Sequence, residues 1–205
     1  MNHDCIIRAE RKEDHRTVEE LTREAFWNVY RPGCMEHYVL HCFRDRPEFV
    51  PELSLVLEQQ GEIRGHIVYV RSQLELEDGR CMPIMTFGPL SVHPDHRGQG
   101  FGRLLLERSM ELAEIAHGVP ALAITGSIEL YGRFGFVKGK EIGIRYAEDP
   151  EADYFLVKEL RPGALAGIRA VYRDPEGYFV SPEETEAFDL TFPPKVKEKH
   201  PGQLP

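Results

Sequence analysis

Apolar positions along the chain alternate between a period of two and a period of three to four residues, and the changes of period divide it into elements. Cys5 to Arg11 (CIIRAER) reads as a strand. From Glu13 the period lengthens, and Val18, Leu21, Ala25 and Val29 predict a helix that Arg31-Pro32-Gly33 stops. Met35, Tyr38, Val39, Cys42 and Phe43 repeat the helical spacing up to Arg46-Pro47. Strand-like runs follow over residues 53–58, 63–76 and 82–92, separated by Gln60-Gly61 and by the hairpin signal Asp78-Gly79. A helix is expected over residues 102–117, with Phe101, Leu104, Leu105, Leu112 and Ala116 on one face, ended by Gly118-Val119-Pro120. Residues 121–125 read as a short buried strand, 128–134 as a short helix closed by Gly135, and 142–146 with 154–159 as a last strand pair. Strands interleaved with helices in this way indicate an α/β chain.

Beyond Arg161-Pro162-Gly163 the pattern loosens. Residues 165–172 read as a helix-to-strand piece, 182–188 as a short helix, 189–192 as a strand and 195–205 as a tail. Leu165, Ile168, Val171, Tyr172, Tyr178, Phe179, Val180, Phe188, Leu190 and Phe192 are too many apolar side chains to leave in water. Residues 161–205 are therefore expected to be an extension packed on a core of residues 1–160, or on a partner subunit as in a homodimer. One place for residues 188–192 is a free sheet edge, as an added strand. The extension would serve as a structural cover, or as a lid or dimer arm that shapes a site.

Composition narrows the class. A chain of 205 residues with 41% hydrophobic and 29% charged positions can bury a core of its own. No run approaches the ~18 apolar residues of a membrane span, and residues 1–14 are polar, without the apolar region of a signal peptide. The expectation is a cytoplasmic protein with no membrane partner. A net charge of −9 without a basic cluster argues against nucleic acid. Cys5, Cys34, Cys42 and Cys81 form no CxxC pair and are expected to be buried thiols. His37 and His41 have a metal-ligand spacing, but with no HExxH or thiol pair nearby no metal is expected, and Cys81 shows no partners for a nucleophile.

The chemistry is concentrated in residues 93–105, HPDHRGQGFGRLL, between an apolar strand and an amphipathic helix. Glycines at 98, 100 and 102 let backbone N–H groups converge on an anion, and the helix that follows adds its positive end. No lysine follows as a P-loop requires, and Arg103 stands where a dinucleotide GxGxxG needs glycine. Pro89 cannot donate to a neighbouring strand, so a break in pairing there would part this strand from residues 121–125 and leave Leu90, Ser91 and Val92 with free backbone groups.

"LSVHPDHRGQGFGRLLLE" resembles motif A of the GCN5-related N-acetyltransferases (GNAT), with Arg97, Gly100 and Gly102 supplying its signature, and "LYGRFGF" resembles motif B. The order of elements agrees over roughly residues 4–160. Within the family, "FGPLSVHPDHRGQGFG" and "LYGRFGFV" are most similar to the YhbS-type branch of bacterial acetyltransferases. The resemblance implies a mixed seven-stranded sheet flanked by helices (β1-α1-α2-β2-β3-β4-α3-β5-α4-β6-β7), with acetyl-CoA as cosubstrate and a small-molecule or peptide primary amine as acceptor. It implies that Leu90, Ser91 and Val92 pair with the pantetheine amides and that Arg97, Gly98, Gln99, Gly100, Phe101, Gly102 and Arg103 hold the pyrophosphate. Tyr131 falls where many relatives place a general acid. Relatives with a base on the fourth strand carry it at positions that here are Thr86 and Gly88, neither able to serve. A water-relayed base is expected instead, with Glu129, His66 and His93 as candidates. The helix pair between Glu13 and Arg46 would wall the acceptor side, with Phe26, Trp27, Tyr30 and Tyr38 lining it or filling the core. The competing readings are a non-catalytic acyl-CoA sensor and an acyltransferase with a longer acyl donor or an oxygen acceptor.

Overall fold

The structure is a computed structural model and describes residues 5–203. In chain order its elements are β1 (Cys5–Ala9), α1 (His15–Phe26), α2 (Glu36–Phe43), β2 (Leu55–Gln59), β3 (Glu62–Leu76), β4 (Cys81–Val92), α3 (Phe101–His117), β5 (Ala121–Thr125), α4 (Ile128–Tyr131), β6 (Val137–Lys138), β7 (Ile144–Tyr146), β8 (Phe155–Glu159), β9 (Ala170–Tyr172) and α5 (Pro182–Asp189). The fold is the mixed α/β arrangement expected of a GNAT chain. It forms two compact units, one of residues 5–68, 88–108 and 176–203, the other of residues 69–87 and 109–175. The long strands β3 and β4 contribute to both. Among the described residues no helix is long and apolar enough to cross a membrane.

In the first unit β1 pairs antiparallel with β2, and β2 with β3, with a register shift between Leu57 and Glu58. Val18 of α1, Leu40 of α2, Val56 and Val68 form one buried cluster, with Phe49 and Ile63 against it. Helix α1 ends at Phe26, one turn earlier than the spacing through Val29 predicts, and Val29 is exposed. The reason is local: Asn28 takes φ 58°, its amide N–H donates to Gly33 O (2.8 Å) and its side-chain oxygen accepts from Gly33 N–H (2.8 Å), so the chain turns.

In the second unit β3 and β4 are joined by the Asp78-Gly79 turn, with Gly79 at φ 82°. Met85 of β4 stands parallel to Leu122 of β5, and Pro89 to Val92 take no part in that register. Strand β8 pairs with β5 and with β6. Strand β9 pairs with the end of β3 and, in parallel, with β7. The core here gathers Leu74, Ile84, Tyr146, Phe155, Val157 and Tyr172.

Several expectations are corrected. The strands number nine among the described residues, not seven. The expected pair 142–146 with 154–159 does not form, because Ala170–Tyr172 supplies the partner of β7 while β8 takes β5 and β6. Residues 189–192 are not a strand: Ser181 caps α5 by accepting from Glu184 N–H (3.2 Å), Pro182 and acidic Glu183 and Glu184 fill its first turn, and a further turn carries the chain to Phe192. Phe188 and Phe192 are four apart, a helical spacing, and both pack on the His37 ring, at 5.4 and 5.2 Å. Phe101 and Leu105 are buried on α3 as expected, together with Leu106, Ser109, Met110 and Ala113, whereas Leu104 and Ala116 are exposed. All four cysteines are free thiols, but only Cys34 is buried; Cys5 and Cys42 are half-buried and Cys81 is exposed. The tail over residues 195–205 is described as far as 203, its last two residues lying outside the described range.

Candidate active site

In the first unit, the end of β4 alternates as a strand must. Leu90 and Val92 are half-buried and Ser91 is buried, its hydroxyl donating to Thr22 Oγ1 of α1 (3.0 Å). The Ser91 side chain is therefore committed to α1, which leaves its backbone for any ligand. Gly65 of β3 explains the close packing here: a Cβ at that position would stand 2.8 Å from Leu105 Cδ1 and 3.3 Å from Ser91 O. Its absence lets α3 settle on the sheet directly behind the loop.

The loop itself is built from short-range bonds. His93 N–H donates to Arg64 O (3.0 Å), and His93 Nδ1 accepts from Asp95 N–H (3.3 Å), capping a tight turn over Pro94–His96. Gly98 and Gly100 lie at φ 77° and 87°, and a Cβ on either would meet nothing within 4 Å. These glycines are needed for backbone twist, and the space over them is open. Leu104 N–H donates to Gly100 O (3.0 Å), the first bond of α3, so the N–H groups ahead of it have no helical acceptor. The side chains are occupied: Arg97 donates to Ala25 O at the end of α1 (2.5 Å), Gln99 Nε2 meets His96 Nδ1 (3.4 Å), Arg103 pairs with Glu107 (2.8 Å), and Phe101 is buried under His96 (6.1 Å between rings). What the loop offers an anion is backbone N–H and the positive end of a 17-residue helix.

In the second unit, Ser127 Oγ accepts from Leu130 N–H (3.4 Å) and starts α4, which carries Tyr131. The Tyr131 ring lies on the backbone of Gly126, where a Cβ would come within 2.6 Å of Cε2. It stands edge-on to Phe87 (5.9 Å) and Phe136 (5.7 Å). Tyr69 completes the cluster, 5.3 Å from Phe87, with its hydroxyl on Ser109 Oγ (2.9 Å). Burial pushes the Tyr69 phenol far up, against the opposing effect of its bond to Ser109. The Phe87 and Phe136 rings and the Gly126 backbone thus hold the plane of Tyr131, which is half-buried.

Each of the three base candidates is occupied. His66 is buried in an ionic network, with Nε2 3.0 Å from Ser54 Oγ and 3.6 Å from Glu10 Oε2. Burial pushes the Glu10 carboxyl up, but the bond and charge of His66, the charge of Arg44 and the Ser54 hydroxyl outweigh it and hold Glu10 well below the carboxylate range. Arg44 bridges Glu10 (2.6 Å) and Glu19 (2.5 Å), and His41 meets Glu19 (2.9 Å). His93 is the cap of its turn. Glu129 is exposed and accepts from the Ser127 hydroxyl (2.5 Å), which lowers its pKa. Thr86 is buried. Among the described residues no three His, Cys, Asp or Glu side chains gather as metal ligands.

Sequence reasoning missed Tyr178. Its hydroxyl donates to the carbonyl of Gly88 (3.1 Å), and its ring packs edge-on to Phe43 of α2 (4.7 Å). Residues after it line α1 and α2: Asp189 accepts from Arg23 (2.6 Å), Trp27 Nε1 donates to Val196 O (2.9 Å), and Lys195 pairs with Glu24 (2.6 Å). A tyrosine within an apolar run carries no sequence signal for such a bond.

Residues 51–138 match the family described as acetyltransferase (GNAT) domain. Among solved structures, the chain is similar to the GNAT family N-acetyltransferase YhbS from Escherichia coli, crystallised with CoA, at 24% identity over 85% of this chain and 92% of that one, with a TM-score of 0.73. A GNAT family acetyltransferase from Brucella melitensis, crystallised with acetyl-CoA, is 22% identical over 87% and 100% of the chains, with a TM-score of 0.69. The ribosomal-protein-S18-alanine N-acetyltransferase from Escherichia coli is 18% identical over 77% and 94%, with a TM-score of 0.52. No curated protein matches the chain. The matched segment includes the glycine loop at the end of β4, and the chain shares the fold of these GNAT acetyltransferases.

Proposed function

We propose that the protein transfers the acetyl group of acetyl-CoA to a primary amine. The observation that carries the reading is the loop over residues 97–102, whose two left-handed glycines stand open ahead of α3. A pyrophosphate suits backbone N–H donors at a helix start, and it needs no help from Arg97 or Arg103, which are already paired. That similar folds were crystallised with CoA and with acetyl-CoA supports the same ligand here.

Acetyl-CoA supplies an activated acyl group and a thiolate as leaving group. The chain's part is to bind, to orient and to move one proton. Backbone N–H near Val92 polarises the carbonyl that the amine attacks, in the manner of an oxyanion donor. As the new C–N bond forms and the C–S bond breaks, Tyr131 gives its phenolic proton to the departing sulfur. The amine's proton leaves through water, since His66, His93 and Glu129 are each held by other partners. The C-terminal segment from Tyr178 onward covers α1 and α2 and shapes the acceptor side of β4.

Incubation with acetyl-CoA and a panel of primary amines, read by free thiol release, tests the proposal. Amine-dependent thiol release is expected. Binding of acetyl-CoA with no release across the panel would turn the reading into that of a sensor module.

A further inference from the structure

Arg46 lies just past α2, half-buried. Other arginines of the same unit are committed: Arg44 to Glu10 and Glu19, Arg23 to Asp189, Arg97 to Ala25 O. Arg46 is different. Among the described residues its side chain has no hydrogen bond, and no carboxylate comes within 4.0 Å of its nitrogens. Asp45 beside it is exposed, and Glu48, whose Oε2 is buried without a partner, is outside that distance too.

The position of Arg46 is nonetheless built. Gly177 packs against it, where a Cβ would stand 2.9 Å from Arg46 Cδ and Nε and would overlap Cε1 of Phe43. The backbone of Gly177 is outside the left-handed region, so it is space that requires the glycine there. Tyr178 follows directly, edge-on to Phe43 and bonded to Gly88 O. A run of contacts therefore leads from the free guanidinium, through Gly177, Phe43 and Tyr178, to β4 at a point two residues before Leu90. In a chain of net charge −9, a half-buried arginine with no carboxylate within 4.0 Å among the described residues suits a planar anion that its donor fork matches.

We propose that Arg46 binds a carboxylate of the acceptor, so that the substrates are primary amines that also carry a carboxylate, such as amino acids. This rests on the acyl-transfer reading above. Arg46 is then a specificity residue: it selects the acceptor and takes no part in the proton transfers.

The test pairs each amino acid with its carboxamide as acceptor, in wild type, Arg46→Gln and Arg46→Lys, with melting temperature as a check on folding. Wild type is expected to favour the carboxylate member at least tenfold in kcat/KM, Arg46→Gln to bring the ratio near one, and Arg46→Lys to keep part of it. A wild-type ratio at or below one, or a ratio unchanged in Arg46→Gln, overturns the proposal. Calorimetry with N-acetylglycine in the presence of CoA decides the matter without turnover. A loss of affinity of tenfold or more in Arg46→Gln supports the assignment, and no binding to wild type or equal binding to both overturns it. Failure of acyl transfer itself would show separately, as no thiol release from any amine, carboxylated or not.

Discussion

The Tyr178 hydroxyl donates to the Gly88 carbonyl across 3.1 Å, joining positions 90 residues apart in the chain. The bond fixes the backbone of β4 immediately before Leu90–Val92, from a segment outside the part of the chain that resembles the family. Tyr178→Phe keeps the ring against Phe43 and removes the donor. The expected cost is about 1 kcal/mol, or ~2–4 °C in melting temperature for a chain of this size. Under the acyl-transfer reading, KM for the amine rises while KM for acetyl-CoA holds. Steady-state kinetics with both substrates varied checks this, and unchanged KM for both would make the segment a structural cover alone.

Tyr131 should act in the transition state. Tyr131→Phe is expected to lower kcat by roughly 10²-fold or more, with little effect on KM for acetyl-CoA. A kcat within about twofold of wild type, far below what a positioned acid supplies, would leave Tyr131 a packing ring. Gly126→Ala is the companion variant. It keeps the phenol but crowds Cε2, which a Cβ would approach to 2.6 Å, so a folded variant should also lose kcat.

His37 gives the fold an acid limit of its own. Burial, opposed by Asp189 and reinforced by Arg23, lowers its pKa from 6.5 to about 4. The unfolded chain therefore takes a proton on this side chain at a pH where the folded chain does not. Stability contributed by the neutral ring is full above pH 6.5 and is lost progressively as pH falls toward about 4, to a total of ~3 kcal/mol. Glu10, held low in the fold, adds its own loss at more acid pH. Urea midpoints across this window should show a shallower slope in His37→Gln than in wild type, and parallel slopes would contradict the assignment.

How much of this was legible in the sequence depends on the range of the interactions. The glycine loop and the Tyr131 helix are local, and the residues that shape them adjoin one another, so their positions could be read directly. The end of the chain could not. Alternation suggested a strand at residues 189–192, but Ser181 and Pro182 start a helix and the four-residue interval of Phe188 and Phe192 fits His37. Arg97 was legible as a motif residue, whereas its bond to Ala25 O depends on where α1 stops, which Asn28 decides through a turn the apolar period hides. His66 stands as a base candidate in the sequence because nothing local shows that Glu10 and Ser54 hold it.

The central claim, that the loop over residues 97–102 holds acetyl-CoA, is tested most directly by calorimetry of acetyl-CoA with wild type and Gly100→Glu. At φ 87° with open space above it, position 100 would project a glutamate carboxylate over the loop, adding negative charge where the pyrophosphate is proposed to lie, as well as backbone strain. Binding to wild type and loss of affinity by roughly 100-fold or more in a folded Gly100→Glu is the predicted result, a difference of ~3 kcal/mol. Equal affinity of the two proteins for acetyl-CoA would contradict the account.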